Sequence, residues 1–321
     1  MKTTLLRWVA CCLLATTYVS GQRPVDARAK AWLTDPLLVL SGRPSQPRPA
    51  ATRVGANGFA GVKAYNFITI DYPGAAYSVV LGSNGKTDVG VVQFDPSDPS
   101  QDIRPLVHTA NKYSTFFVPG ATQVALTDIN NPGTMIGVYL DASNQLSGFT
   151  YSAGVVTPFH ISGSQGNQIR GINDAGDMVG EYYSDSGQHG FVDIGGVITT
   201  IDYPGGINTS FMDINNLGEA VGIYLDSGYY PHGFIWSNGV FTSLDYPGSL
   251  GTELRGINDA GKIVGDTFDA TTSHGFVYQN NFSLMDLAGA KFTIPDHIDD
   301  KNNITGFYVD ALNEYHGFKA H

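Results

Sequence analysis

Cysteine is nearly absent from this 321-residue chain, and the two that exist, Cys11 and Cys12, stand side by side in the first 21 residues. Nothing after them can form a disulfide, act as a thiol nucleophile or give a cysteine metal site. Charge is also scarce, at 15%. Long apolar runs are missing too: Trp8 to Val19 is uncharged, and no other stretch approaches membrane length. No G-x-S-x-G, H-E-x-x-H, Walker or G-x-G-x-x-G element stands in a suitable context, so the common hydrolase, zincin and nucleotide-binding signatures are lacking. No repeat segment keeps an amphipathic helical period for ten residues, which argues against a helical bundle.

The N-terminal segment has Lys2 and Arg7, then the uncharged run, then the small pair Ser20 and Gly21. This is the pattern of a secretory signal peptide, too short to span a bilayer. Cleavage near Gly21 would remove both cysteines. Only three apolar residues separate Arg7 from Cys11, which speaks against a lipoprotein signal. Residues 22–55 form a Pro- and Arg-rich linker without a β pattern, and residues 56–321 form the repeat domain. Without signal and linker the chain carries 10 basic against 27 acidic residues, a net of −17. Such a surface repels nucleic acid and suits cationic or neutral partners, although solubility alone would also account for it. A secreted monomer that does not span the membrane is expected.

What the chain has in abundance is glycine, with 39, and aromatics, with 17 Tyr and 17 Phe. They recur. GINDAGKIVGDTFDATTSHGF at Gly256 to Phe276 has imperfect copies at Asp128 to Phe149, Gly171 to Phe191, Asp213 to Phe234 and His297 to Phe318, and a worn one at Leu81 to Asp95. Phe149, Phe191, Phe234, Phe276 and Phe318 are spaced by 42, 43, 42 and 42 residues. Between the copies runs a second signature: IDYPG at Ile70 and Ile201, LDYPG at Leu244, and a worn FVPG at Phe117. In DYPG the Pro presets φ and the Gly accepts a positive φ, predicting a type II turn. In INDAG and INNLG the Asn and Asp side chains can cap their own turn. Each unit holds four short β-type segments.

Four antiparallel strands per ~42 residues predict an all-β fold, a β-propeller of six four-stranded blades. A GF strand at each end, counting Phe59, predicts that an overlapping GF strand closes the ring. An open solenoid is the rival, but neither terminal copy looks like a cap.

The HGF tripeptides at His189, His232, His274 and His316, each preceded by an IN-x-x-G-x-x-V-G element or its worn form, resemble the HAF-type extracellular repeat proteins. The likeness covers about residues 58–321, with Gly for Ala in the tripeptide and Ser147 in place of one His. It implies a secreted or surface-associated bacterial protein. It implies no activity, because that family has no catalytic motif to carry over.

Candidate chemistry lies in three places. An Asp precedes each HGF histidine across a short loop (Asp185, Asp226, Asp269, Asp310), a pairing better suited to a repeated strut than to a metal site, which needs three or four converging ligands. The INDAG loops offer oxygen donors but lack the alternating acids of a calcium loop, so turn capping is expected, with calcium possible but not favoured, and no cofactor or metal is assigned. Positions that differ between copies are more informative. Asp128, Arg170, Asp213, Arg255 and His297 stand before the Ile-Asn or Ile-Asp pair and would ring a channel mouth, either as ligand-binding residues or as interblade ion pairs. Tyr229 and Tyr230 form a possible aromatic platform on a hairpin tip. The expectation leans to a binding or scaffold module for an extracellular carbohydrate or protein, with the question of an enzyme left open. The alternative is a polysaccharide-active hydrolase or lyase, which would need acidic or His side chains with shifted pKa values converging at one mouth.

Overall fold

The computed structural model describes residues 65–94, 103–110, 112–269 and 272–321. The expected signal peptide and linker, and Phe59, lie outside them. Among the described residues no helix is long and apolar enough to cross a membrane.

The first strand, β1 (Phe67–Ile70), stands apart from its sequence neighbours. Blade 1 then comprises β2 (Tyr77–Ser83), β3 (Thr87–Gln93), β4 (Ile103–Thr109) and β5 (Lys112–Ser114). Blade 2 has β6 (Ala121–Ile129), β7 (Met135–Asp141), β8 (Leu146–Ser152) and β9 (Val155–Phe159). Blade 3 has β10 (Gly166–Ile172), β11 (Met178–Ser184), β12 (Gly187–Ile194) and β13 (Val197–Thr200). Blade 4 has β14 (Thr209–Ile214), β15 (Ala220–Leu225), β16 (Pro231–Ser237) and β17 (Val240–Ser243). Blade 5 has β18 (Gly251–Ile257), β19 (Ile263–Phe268), β20 (Ser273–Gln279) and β21 (Asn281–Leu284). Blade 6 has β22 (Phe292–Ile298), β23 (Ile304–Val309) and β24 (Tyr315–Ala320), and its fourth strand is β1. The fold is a six-bladed β-propeller.

The ring closes differently from the sequence expectation. The overlapping strand is β1, the segment leading into the first IDYPG, and it pairs antiparallel with β24 from Phe67 opposite Ala320 to Ile70 opposite Gly317. It is therefore the outermost strand of a blade that supplies the closure, and not a GF strand. Each long copy lies within one blade, as Gly256 to Phe276 runs from β18 through β20, and the DYPG signature joins blades. Each DYPG segment ends one blade's outer strand and leads into the innermost strand of the next.

The recurring motifs have packing reasons. Phe149, Phe191, Phe234, Phe276 and Phe318 are fully buried, and Leu106 takes the equivalent place in blade 1. Each lies opposite the glycine of the VG element on the neighbouring strand, as Phe234 lies opposite Gly222. A Cβ on Gly222 would lie 2.5 Å from the Phe234 ring and 2.2 Å from the Ser210 carbonyl, so the anchor ring requires that glycine. In the DYPG turns the residue after Gly donates its N–H back across the turn, as Gly206 does to the Tyr203 carbonyl at 3.0 Å, with Gly205 at φ 82°. This is the expected type II geometry.

Alternating strand direction sorts the loops. The Asn turns after each innermost strand open on one face of the ring. The β15–β16 type of hairpin tip and the DYPG crossings lie on the other.

Candidate functional site at the channel axis

The innermost strands β2, β6, β10, β14, β18 and β22 line the axis, and each carries a bulge two residues before its last residue at the Asn-loop end. The bulged residues are Leu81, Thr127, Arg170, Met212, Arg255 and Asp296. The next residues are Gly82, Asp128, Gly171, Asp213, Gly256 and His297. The five polar residues grouped together from sequence thus belong to two classes: the arginines occupy bulges, and Asp128, Asp213 and His297 occupy the following position. The bulge separates them physically, because it turns successive side chains to different levels of the channel.

At the second position the ring alternates. Blades 2, 4 and 6 supply Asp128, Asp213 and His297, while blades 1, 3 and 5 supply glycine. The alternation is steric. A Cβ on Gly82 would lie 2.7 Å from the Asp128 Cα, one on Gly171 2.7 Å from the Asp213 Cα, and one on Gly256 2.9 Å from the His297 Cα. Each aspartate also grips the glycine-bearing blade. Asp128 accepts N–H bonds from Ile129 (2.8 Å) and across the gap from Ile172 (3.1 Å), and Asp213 accepts them from Ile214 (2.8 Å) and Ile257 (2.9 Å). Donor atoms of Asp128, Asp213 and His297 all fall within 4.8 Å of one another. Burial pushes both aspartate carboxyls up to about 7, against the lowering effect of the backbone N–H groups and, for Asp213, of His297.

The arginines are held by carboxylates. Arg170 forks onto Glu181 with contacts of 3.0 and 3.1 Å, and Ser210 donates to the same carboxylate at 2.7 Å. Arg255, buried, contacts Asp266 at 2.5 Å, Glu253 at 2.6 Å and Asp296 at 3.2 Å. Of the two sequence readings, ion pairing describes both residues. The Asp296 contact crosses between blades, whereas Glu181 and Asp266 lie on the arginines' own sheets. Burial raises Glu253 to about 7 and Asp296 to about 6, with Arg255 pulling each back down. Asp296 Oδ2 is buried without a hydrogen-bond partner. The bulge residues and the Asp128, Asp213 and His297 side chains together bound a cavity of about 30 Å³.

Above this level, the Asn loops form a cup of about 220 Å³ whose lining includes Asn84, Asn173, Asp213, Asn258, His297 and Lys301. Asn84, Asn130, Asn173, Asn215 and Asn258 each donate Nδ2 to the backbone carbonyl of the equivalent residue in the next blade, at 3.0 to 3.3 Å. Their Oδ1 atoms cap their own turns, as Asn173 does for Ala175 and Asp177. The expected turn cap is present, and the same side chain also staples blades. A second staple follows, in which Asn131 gives two hydrogen bonds to Asp174, and Asn216 two to Asp259.

The HGF histidines pair with partners other than those expected. His189, His232, His274 and His316 place Nδ1 2.8 to 2.9 Å from Asp202, Asp245, Asp286 and Asp71, the aspartates of the DYPG segments or their variants. Asp226 and Asp310 stand farther off, 3.6 and 3.9 Å from the other ring nitrogen. The reason is register: the outer strand returns alongside the HGF strand and delivers its terminal Asp beside the His, with the HGF glycine N–H binding the second oxygen, as Gly233 does with Asp245 at 3.2 Å. His316 with Asp71 repeats this across the ring closure.

Tyr229 and Tyr230 are not brought to the axis. They occupy the β15–β16 tip on the opposite face, with Tyr229 at φ 62° and Tyr230 44% exposed.

No family model matches the chain, and no curated protein matches it. Solved structures do. A triple arginine-to-alanine mutant of AofleA from Arthrobotrys oligospora is 13% identical, with 83% of this chain and 89% of that one covered and a TM-score of 0.52. A TolB described as putative from Agrobacterium tumefaciens is 11% identical over 65% and 79%, with a TM-score of 0.51. TolB from Acinetobacter baumannii is 11% identical over 75% and 65%, also at 0.51. At these identities the likeness is one of fold.

Proposed function

We propose that this chain is a secreted propeller that acts as a binding module, taking a small neutral, hydroxyl-rich or cationic group of an extracellular carbohydrate or protein into the Asn-loop cup. The observation that carries this is the cup itself. It is lined by amide and carboxylate groups held rigid by interblade hydrogen bonds, on a ring where loops commonly carry function. At about 220 Å³ it is below the ~300–1,000 Å³ of drug-sized sites, a scale for one sugar ring or one side chain. Asp174, Asp259 and Asp300 on its lining disfavour an anionic ligand.

The convergence of Asp128, Asp213 and His297 is the feature the alternative enzyme reading requires. Both carboxylates, however, are buried and already bound by two backbone N–H groups each, and Asp128 borders only the cavity of about 30 Å³, so the pair does not face the cup together. Binding is the better reading.

The test is a calorimetric and array screen of the secreted chain against neutral glycans and peptides. A ligand found there should lose at least tenfold in affinity with Lys301→Trp, which obstructs the cup, and keep its affinity when Tyr229 and Tyr230 are both replaced by Ala. The opposite result would place the site on the hairpin tips and overturn the proposal.

A further inference from the structure

We infer that Asp128, Asp213 and His297 form an axial site for a first-row divalent cation, Zn²⁺ or Mn²⁺, that ties blades 2, 4 and 6 together. Three observations carry it. The donors converge from alternate blades, where facing glycines leave the axis open to them. His297 Nδ1 lies 3.6 Å from Asp128 Oδ1 and 3.9 Å from Asp213 Oδ2. These separations exceed a direct hydrogen bond. They approach the ~3.4 Å between neighbouring donors of a tetrahedral ion with bonds of ~2.1 Å, so His297 is a few tenths of an ångström from that spacing to either carboxylate, and all three donors lie within 4.8 Å of one another.

The second observation is independent of the triad. Asp296 lines the same cavity; Arg255 engages its Oδ1, and its Oδ2 is buried without a hydrogen-bond partner. A buried, unpartnered carboxylate oxygen is costly. A water held by the cation in the cavity would be its donor, and the cavity has room for one or two.

Charge and outer contacts agree. Around the axis, among the described residues, the carboxyl groups of Asp128, Asp213, Asp296, Glu253, Glu181 and Asp266 are accompanied by the guanidiniums of Arg170 and Arg255. A divalent cation offsets part of that excess. The N–H bonds from Ile129, Ile172, Ile214 and Ile257 orient both carboxylates and leave each oxygen a lone pair, the usual task of groups behind the ligands. One imidazole with two carboxylates suits zinc or manganese better than calcium, which takes six to eight oxygens.

The full chain, stripped with a chelator and returned to neutral pH, is titrated with Zn²⁺, Mn²⁺ and Ca²⁺ by calorimetry and thermal melting. Expected are one equivalent of Zn²⁺ or Mn²⁺ bound with a micromolar or lower Kd, a raised Tm, and little response to Ca²⁺. His297→Ala should weaken binding at least 100-fold. His316→Ala, at the partly exposed Asp310, Glu314 and His316 cluster, should leave it unchanged. If His297→Ala does not fold, the Co²⁺ spectrum of the native chain decides, with tetrahedral absorption supporting the site and its absence refuting it. No binding at millimolar Zn²⁺ or Mn²⁺, or binding abolished by His316→Ala and not by His297→Ala, overturns the inference.

Discussion

Replacing Gly171 by Ala tests whether the alternating axis is a steric requirement. The added Cβ would lie 2.7 Å from the Asp213 Cα, 3.0 Å from its Oδ1 and 3.1 Å from the Ile214 nitrogen. Carbon atoms prefer ~3.5–4.0 Å, so the shortfall is about 1 Å against backbone, which cannot rotate away. Overpacking of this kind costs ~1–3 kcal/mol. Displacing β10 also stretches the Ile172 N–H bond to Asp128, a charge-assisted bond of the class worth ~1.5–3 kcal/mol. Together these place Gly171→Ala at about 2.5–6 kcal/mol, a large fraction of the ~5–15 kcal/mol that holds a typical domain. The comparison is Gly205→Ala. There nothing lies within 4 Å and only the positive φ is penalised, at about 1–2 kcal/mol. Urea unfolding of both variants, with m-values compared, measures the difference. If Gly171→Ala falls within about 1 kcal/mol of Gly205→Ala, the axis is looser than the interblade distances imply and the steric account fails.

Two further outcomes follow from the pairings. His232→Ala should lower stability by about 0.5–1.5 kcal/mol by urea titration, because its partner Asp245 is 39% exposed and rehydrates once unpaired. Asp245→Ala should cost more than Asp226→Ala, and the reverse order would return the histidine to the hairpin-tip partner. A chain beginning at residue 72 lacks β1, so it bares the edge of β24 and uncovers Phe318, against which Phe67 packs edge-on at 5.1 Å. Size-exclusion chromatography should show aggregates and a lowered Tm, whereas a monomer with unchanged Tm would show that ring closure contributes little.

Much of this architecture is legible in the sequence because each blade repeats its own packing rule. The Phe spacing reports the blade period, the VG glycine reports the anchor ring opposite it, and DYPG reports a turn with a single geometry. What one repeat cannot show is which neighbour a side chain meets. Asp226 precedes His232 by six residues and reads as its partner. Asp245, 13 residues on, lies nearer because an antiparallel outer strand brings it back. The closing strand is hidden for the same reason. Which strand overlaps is decided by which blade lacks an outer member, and β1 carries no feature beyond the DYPG segment it shares with other copies.

The axial site is within reach of the sequence but hidden by a one-residue offset. Aligning the copies on the Ile-Asn pair puts Gly82, Asp128, Gly171, Asp213, Gly256 and His297 in one column, and Leu81, Thr127, Arg170, Met212, Arg255 and Asp296 in the column before it. Taking the most polar residue from either column merges two levels of the channel and conceals the alternation. The first column has a physical logic that needs no ligand. At this level the six strands come so close that a Cβ on Gly82, Gly171 or Gly256 would meet the next strand's Cα at 2.7 to 2.9 Å, so every second strand gives up its Cβ. The three side chains that remain are then forced toward one another. The alternation thus gives a threefold centre at this level of the six-bladed ring, and the residue types placed there decide its chemistry. Three apolar groups would have made a plug. Two carboxylates and an imidazole, gripped by backbone N–H groups of the intervening blades, instead concentrate charge where the strands leave least room to disperse it.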